Sequence, residues 1–371
     1  MMSLPEVAVV AFAQSDHLRD TDELSEVEMV MPVVQEVLGQ VGRKAHEIDF
    51  TCSGSADYLA GRPFSFTMTL DGVGAWPPIS ESHVEMDGAW ALYEAWVKLR
   101  MGEAETALVY GYGKSSPGDL REVLTRQLDP YLLAPLWADP VSLAALQAQA
   151  LIDAGRADEK ALAEVAVRSR RAAEAANPHA QLRGSPDASE LLGRDYLMQP
   201  LRAHDCPPIG DGAAAVVLAA GDTARRLCGE GRTPAWIRGI DHRIESHQPG
   251  SRDLTDSPST RLAAERAGAF EESAAGPIDT AELHAPFTAQ ELILRQALGL
   301  DGGPGGGAGG VVVNPSGGAL AANPMMAAGL IRIGEAAARI HRGESRRALA
   351  HATSGPCLQQ NLVAVLEGEP S

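Results

Sequence analysis

The chain has little that would staple it, anchor it or steer it by positive charge. Its 371 residues hold four cysteines, Cys52, Cys206, Cys228 and Cys357, scattered and without a CxxC pair. Neither a disulfide framework nor a zinc knuckle is suggested. Aromatic residues make up 5%, so the core has to be packed closely from aliphatic residues, alanine and glycine. No apolar run reaches the roughly 18 residues of a membrane span. The opening MMSLPEVAVVAFAQSD lacks the basic start of a secretory signal. A cytoplasmic location with no membrane partner is expected. Lys and Arg number 31 against 49 Asp and Glu, a formal net charge of −18. That argues against nucleic acid as the main partner. What remains is an ordinary globular composition, 45% hydrophobic and 22% charged, long enough for one large or two fused domains.

Alternating strand and helix signals fill both ends of the chain. Glu6–Ala13 reads as a buried strand. Ser25 with Glu28 makes a capping-box pattern before an amphipathic helix that ends at Gly42, with Pro32 predicting a kink or a later start. Ile48–Cys52, Met86–Met101 and Thr106–Tyr112 continue as strand, helix and strand. From Lys114 to about Ile209 the rhythm gives way to an inserted helical and loop segment. It carries Arg168, Arg170 and Arg171, which are either solvated, ion-paired or set to hold an anion. Asp211–Ala220 turns into another strand. The pattern then repeats through Ala235–Ile240, Ser259–Ala269, Thr280–His284, Thr288–Leu298, Gly310–Asn314, Pro324–Arg342, Ala348–Ala352 and Leu362–Leu366. Two halves are expected, residues 1–230 with an insertion over about 114–209, and residues 231–371. The stretch at 302–310, GGPGGGAGG, reads as a flexible loop.

One stretch stands out chemically, GGVVVNPSGGALAANPMMAAG at 309–329. Val311, Val312 and Val313 suit a buried strand, Asn314–Gly318 break it, and Asn323 with Pro324 reads as an N-cap and first helical residue. A helix start aimed at a glycine-lined turn suits an anion or an oxyanion, and it also suits a plain βα turn.

Four motifs point further: NPSGGALAANPMMAAGL (Asn314–Leu330), HAPFT (His284–Thr288), HDCPPIGDGAAAVVLA (His204–Ala219) and ANPHAQ (Ala176–Gln181). SESHVEMDGAWAL (Ser80–Leu92) falls between the first strands and the first long helix. Together these resemble the thiolase superfamily and, within it, the sterol-carrier-protein-2-type branch. The resemblance implies an α/β thiolase-like fold, two βαβαβαββ halves in a five-layer α-β-α-β-α arrangement. It places Glu85 where the family keeps its nucleophilic cysteine, and Asn323 where the branch has the histidine of Gly-His-Pro. A carboxylate cannot form a thioester, so ordinary Claisen chemistry is not expected by that route.

The resemblance therefore implies a nucleophile-less acyl-CoA lyase, similar to actinobacterial steroid side-chain aldolases, that cleaves a β-hydroxyacyl-CoA of sterol origin by a retro-aldol step. The alternatives are an acetyl-CoA acetyltransferase using another cysteine, and a non-catalytic subunit for a paralogue. Candidate catalytic residues are His284, Glu85, Asn323, Asp87 and Cys357, with His83 and Cys52 as weaker ones. Ser316, Gly317, Gly318 and Gly88 are the expected walls of a thioester pocket. Each has a plain structural reading too: His284 caps a strand end, Asn323 caps a helix, and Glu85 neutralises a neighbour. No tightly bound cofactor or metal is expected, only coenzyme A as part of the substrate. The implied partners are a second thiolase-like chain, identical or paralogous, paired along a sheet edge at the apolar strand Thr106–Tyr112, and a small DUF35-type zinc-ribbon/OB-fold protein.

Overall fold

A computed structural model describes residues 4–74, 79–229, 231–301 and 310–369. The glycine loop at 302–310 lies, but for Gly310, outside the described residues. Ten strands form one continuous sheet: β1 (Val7–Gln14), β2 (Phe50–Gly54), β3 (Glu81–Val84), β4 (Thr106–Gly113), β5 (Gly212–Ala220), β6 (Ala235–Ile244), β7 (Thr280–Leu283), β8 (Val312–Val313), β9 (Arg347–Ser354) and β10 (Gln360–Glu367). Their spatial order is β8-β7-β9-β10-β6-β1-β5-β4-β2-β3. Read outward from the centre, each half runs the same way. In the first, β1 and β5 pair antiparallel, as do β5 and β4, and β4, β2 and β3 run parallel. In the second, β6 and β10 pair antiparallel, as do β10 and β9, and β9, β7 and β8 run parallel. The internal duplication that no residue repeat reveals is thus plain in topology. Within the sheet, among the described residues, two residue pairs, Ala8 with Trp236 and Val9 with Ala235, join the halves.

The helices are α1 (Glu26–Gln40), α2 (Gly88–Arg100), α3 (Pro140–Asp153), α4 (Glu159–Ala176), α5 (Gly221–Cys228), α6 (Pro258–Arg266), α7 (Thr288–Ala297) and α8 (Ala328–His341), besides shorter turns. Among the described residues three large hydrophobic cores lie between five layers. Helices α1 and α5 cover one face of the first half-sheet through Val30, Val34, Val37 and Leu227. Helices α2 and α8 fill the middle, where Leu92, Leu99, Leu330 and Ile333 meet strands of both halves. Helices α6 and α7 cover the outer face of the second half-sheet through Ala263, Ile293 and Leu294. A helix buried on both sides must be apolar nearly all round, and LIRIGEAAARI in α8 is, apart from Arg332, Glu335 and Arg339.

The capping box at α1 is present: Ser25 accepts from Glu28 N–H, Glu28 accepts from Ser25 N–H, and Pro32 sits inside the helix. Three expectations need correcting. Strand β4 lies between β2 and β5 rather than at an edge; its unbroken apolar run reflects cover on both faces. The edge of that half is β3. Val312 is 57% exposed on the opposite edge strand rather than buried. Helix α8 begins at Ala328, one turn after Pro324, so Asn323 is not its cap.

The inserted segment lies over the second half. Helices α3 and α4 both pack on α7. Gln290 donates to Gln147 at 3.1 Å, and Arg168 pairs with buried Glu291. Arg168 of the basic cluster is therefore a structural ion pair, and Glu291 passes the link on by accepting from Asn314 Nδ2 at 2.8 Å.

Candidate active site at the paired helix starts

The parallel strands of each half end near the middle of the molecule, where the turns leading into α2 and α8 meet. The approach is close. Gly88 N–H donates to Met326 O at 2.8 Å. A Cβ on Gly88 would lie 2.9 Å from Leu330 Cδ2, and one on Gly54 would lie 2.6 Å from Gly88 Cα. Only glycine fits where β2 passes beneath the start of α2.

Asp87 holds the two helix starts together. It is the N-cap of α2, accepting from Ala89 N–H at 2.9 Å. It also accepts from Gly329 N–H at 2.8 Å and Leu330 N–H at 3.0 Å, in the first turn of α8. One carboxylate thereby serves the orphan donors of two helices and meets both positive dipole ends. Burial pushes its pKa up, while the three N–H bonds and Arg332 pull the other way. With those three bonds made and 4% exposure, Asp87 is a structural clasp between the two helix starts.

His284 follows β7 and is 7% exposed. Its Nδ1 accepts from Thr353 N–H at 3.3 Å. A neutral imidazole with one acceptor nitrogen carries its proton on the other. Nε2–H therefore donates to Asn323 Oδ1, 3.0 Å away. Burial, with Arg332 nearby, lowers the His284 pKa to about 4. Its backbone is tied in as well, His284 N–H donating to His351 O at 3.1 Å. The result is directional: because its oxygen is taken, part-exposed Asn323 has its Nδ2 hydrogens as open donors, with no acceptor among the described residues.

Glu85 behaves oppositely. Its side chain is half exposed, Oε1 accepts from Asp57 N–H at 2.6 Å, and Oε2 faces His83 Nε2 at 3.4 Å. It retains free lone pairs at the surface. His83 is fixed by Ser53 Oγ at 2.9 Å from Nδ1.

The expected pocket walls face inward instead. Ser316 is fully buried; its hydroxyl donates to Glu282 at 2.7 Å and accepts from Arg332 at 2.7 Å. Gly317 adopts φ +95°, and a Cβ there would lie 2.6 Å from Ala173 of α4. Its close neighbour is the inserted segment. Gly318 lies against the Asn314 side chain, and the Gly88 N–H is spent on Met326. Cys357 is 5% exposed and its thiol points at Leu143 O, 3.4 Å away. Burial pushes it up to about 11, and Cys52, in the core beneath α2, up to about 12. The buried pair Glu282–Arg332, 3.0 Å apart, was not singled out from sequence. The available signal was an arginine in a helix apolar on every side.

Among the described residues no group of three or more His, Cys, Asp or Glu is arranged to hold a metal, and no helix is long and apolar enough to cross a membrane. Surface cavities of about 320 and 410 Å³ lie elsewhere, around Arg347 and beside Arg339.

Comparison with known proteins agrees with this architecture. No family model matches the chain. It is 32% identical over 183 residues to the acetyl-CoA acetyltransferase of Methanothermobacter thermautotrophicus, covering 46% of each chain. It is 30% identical over 239 residues to the benzoylsuccinyl-CoA thiolase subunit BbsB of Thauera aromatica, covering 58% of this chain and 60% of that one. The chain thus spans about half to three-fifths of those two relatives. Sterol carrier protein 2 of Gallus gallus is 25% identical over 353 residues, 85% of this chain and 63% of that one. Among solved structures, an Ltp2-ChsH2(DUF35) aldolase superposes with a TM-score of 0.78 at 20% identity, covering 98% of both chains. Human mitochondrial 3-ketoacyl-CoA thiolase gives 0.75 at 15%, covering 99% of this chain and all of that one.

The chain has the fold of the thiolases. Its sequence relatives include members of the sterol-carrier-protein-2 branch.

Proposed function

We propose that this thiolase-fold protein is an acyl-CoA carbon–carbon lyase that cleaves a β-hydroxyacyl-CoA without a covalent intermediate. In this reading Glu85 occupies the thiolase nucleophile position, and Asn323 that of the branch's Gly-His-Pro histidine. Glu85 takes the proton of the β-hydroxyl group. The Cα–Cβ bond breaks, the β-carbon leaves as a ketone or aldehyde, and its electron pair passes to the enolate of the shortened acyl-CoA. Asn323 Nδ2–H, oriented by His284 Nε2–H, donates to the developing enolate oxygen. Protonation at Cα then releases the product. Coenzyme A enters only as part of the substrate, and the acyl part is sterol-derived.

What carries this reading is an open carboxylate, Glu85, on the turn into α2 and an aimed amide donor, Asn323, on the turn into α8, two turns joined through Gly88 with Met326 and Asp87 with Gly329. Thiol chemistry has no comparable candidate: burial raises the pKa of all four cysteines, Cys206 to about 12 and Cys228 in the same direction. A thiolate nucleophile needs the reverse. The similar aldolase structure, which carries a DUF35 protein in its name, supports a small partner of that kind. We place the expected pairing with a second thiolase-like chain at the β3 edge, whose backbone groups are open on one side.

The alternative reading is a supporting subunit that completes an active partner. One experiment separates the readings. The protein, alone and with a DUF35-type protein, is incubated with β-hydroxyacyl-CoA and the products are followed by chromatography. Shortened acyl-CoA together with a carbonyl product is expected. If neither forms in any combination, the lyase reading fails.

A further inference from the structure

We infer that His83 is a positioning residue for Glu85, the two forming one braced unit at the β3 edge. This rests on the reading of Glu85 as the base. His83 pairs in register with Ser53 of β2, and Ser53 Oγ lies 2.9 Å from its Nδ1. On the other side its ring stacks on Phe66, with centroids 4.2 Å apart and planes 5° from parallel. A ring held by a hydrogen bond and a stacking partner has little rotational freedom. Its Nε2 faces Glu85 Oε2 at 3.4 Å.

A carboxylate oxygen only accepts, so this contact is favourable only if Nε2 carries a proton. Nδ1 of the neutral ring then accepts from Ser53 O–H. The other carboxylate oxygen is taken by Asp57 N–H at 2.6 Å. Asp57 closes the circuit. Its own carboxylate accepts from Phe64 N–H at 2.8 Å, Ser65 N–H at 3.0 Å and Ser65 O–H at 2.8 Å. Those bonds fix the turn that carries Phe66 against His83. The ring of contacts thus runs Glu85, Asp57, Ser65, Phe66, His83 and back to Glu85. A base on an exposed turn would otherwise sample several rotamers, and holding it in one orientation raises the fraction of productive encounters.

Two measurements test this. In turnover, His83→Ala is expected to lower kcat about tenfold with KM within about twofold, and His83→Gln, which restores an N–H toward Glu85, to recover most of it. Equal rates for His83→Ala and wild type, or a loss in both variants alike, overturn the positioning role. Glu85→Gln in parallel separates the two claims. If it is inactive while His83→Ala is unaffected, the lyase reading stands and this inference falls. The second measurement needs no turnover. ¹⁵N NMR of labelled histidine should show His83 as the Nε2–H tautomer and show it losing that preference in Glu85→Ala. An Nδ1–H tautomer in the wild type, or no response to Glu85→Ala, contradicts the inference whatever the activity.

Discussion

The two halves share one topology, and the helix starts they bring to the middle share almost no chemistry. Helix α2 brings its own cap, Asp87, and an open carboxylate two residues earlier, Glu85. Helix α8 has no side-chain cap of its own and borrows Asp87. What its half supplies is a donor, the Asn323 amide fixed by His284. Duplication gave two equivalent turns; divergence made one an acceptor and the other a donor. A retro-aldol step needs one of each, a base at the β-oxygen and a donor at the thioester oxygen. The difference between the halves is therefore the feature on which the proposed chemistry depends.

The halves should also part under acid, and this is the largest effect expected. His284, His341 and His351 in the second half are buried, with pKa values lowered to about 4, 4 and 3. In the first half His17 is lowered to about 3. Burial disfavours the charged ring in all four. The unfolded chain takes up these protons near pH 6.5, and the folded one does so only near pH 3 to 4. Stability is therefore fully present above about pH 6.5 and is lost as pH falls toward 4. Together the loss should reach several kcal/mol, since a tenfold difference in proton affinity between the folded and unfolded chain is worth about 1.4 kcal/mol. Denaturant titrations at about pH 7 and about pH 4.5 measure the larger part of this loss. Hydrogen exchange should show β7 and β9 opening before β4 and β5. Uniform opening would mean that the halves are not distinguished by their buried histidines.

Next in size is the shared cap. Asp87→Ala leaves three helix-start N–H groups without their acceptor in a dry setting, and should cost about 3 kcal/mol or more. Ser25→Ala, at the exposed cap of α1, should cost about 1 kcal/mol. Urea unfolding of both variants compares a cap that joins the halves with one that serves a single helix. Equal costs would show that the bonds across to α8 contribute nothing.

Much of the fold was legible because the motifs fixed the order of strands and helices, and the capping box at Ser25 is a local signal. What escaped was long-range. The cap of α8 comes from a residue 242 positions away, so Asn323–Pro324 looked like a helix start when the real cap was out of view. The apolar run at β4 suggested an edge that needed covering, whereas the short polar ESHV of β3 is the edge strand. The glycines of Asn314–Gly318 signalled close approach, but nothing local says that α4 comes so near Gly317. His284 and Asn323 were legible as candidates; that they bond each other, with His284 as the donor, follows from Thr353, which no motif marks.

The most direct test of the acceptor–donor division is turnover of a β-hydroxyacyl-CoA by single variants from each half. Glu85→Gln and Asn323→Ala should each lower kcat by about a hundredfold or more. Cys52→Ala and Cys357→Ala, which remove buried thiols, should leave kcat within a few-fold of the wild type once stability is matched. Near-normal turnover in Glu85→Gln and Asn323→Ala, with loss in either cysteine variant, would contradict the lyase mechanism and return the protein to thiol chemistry.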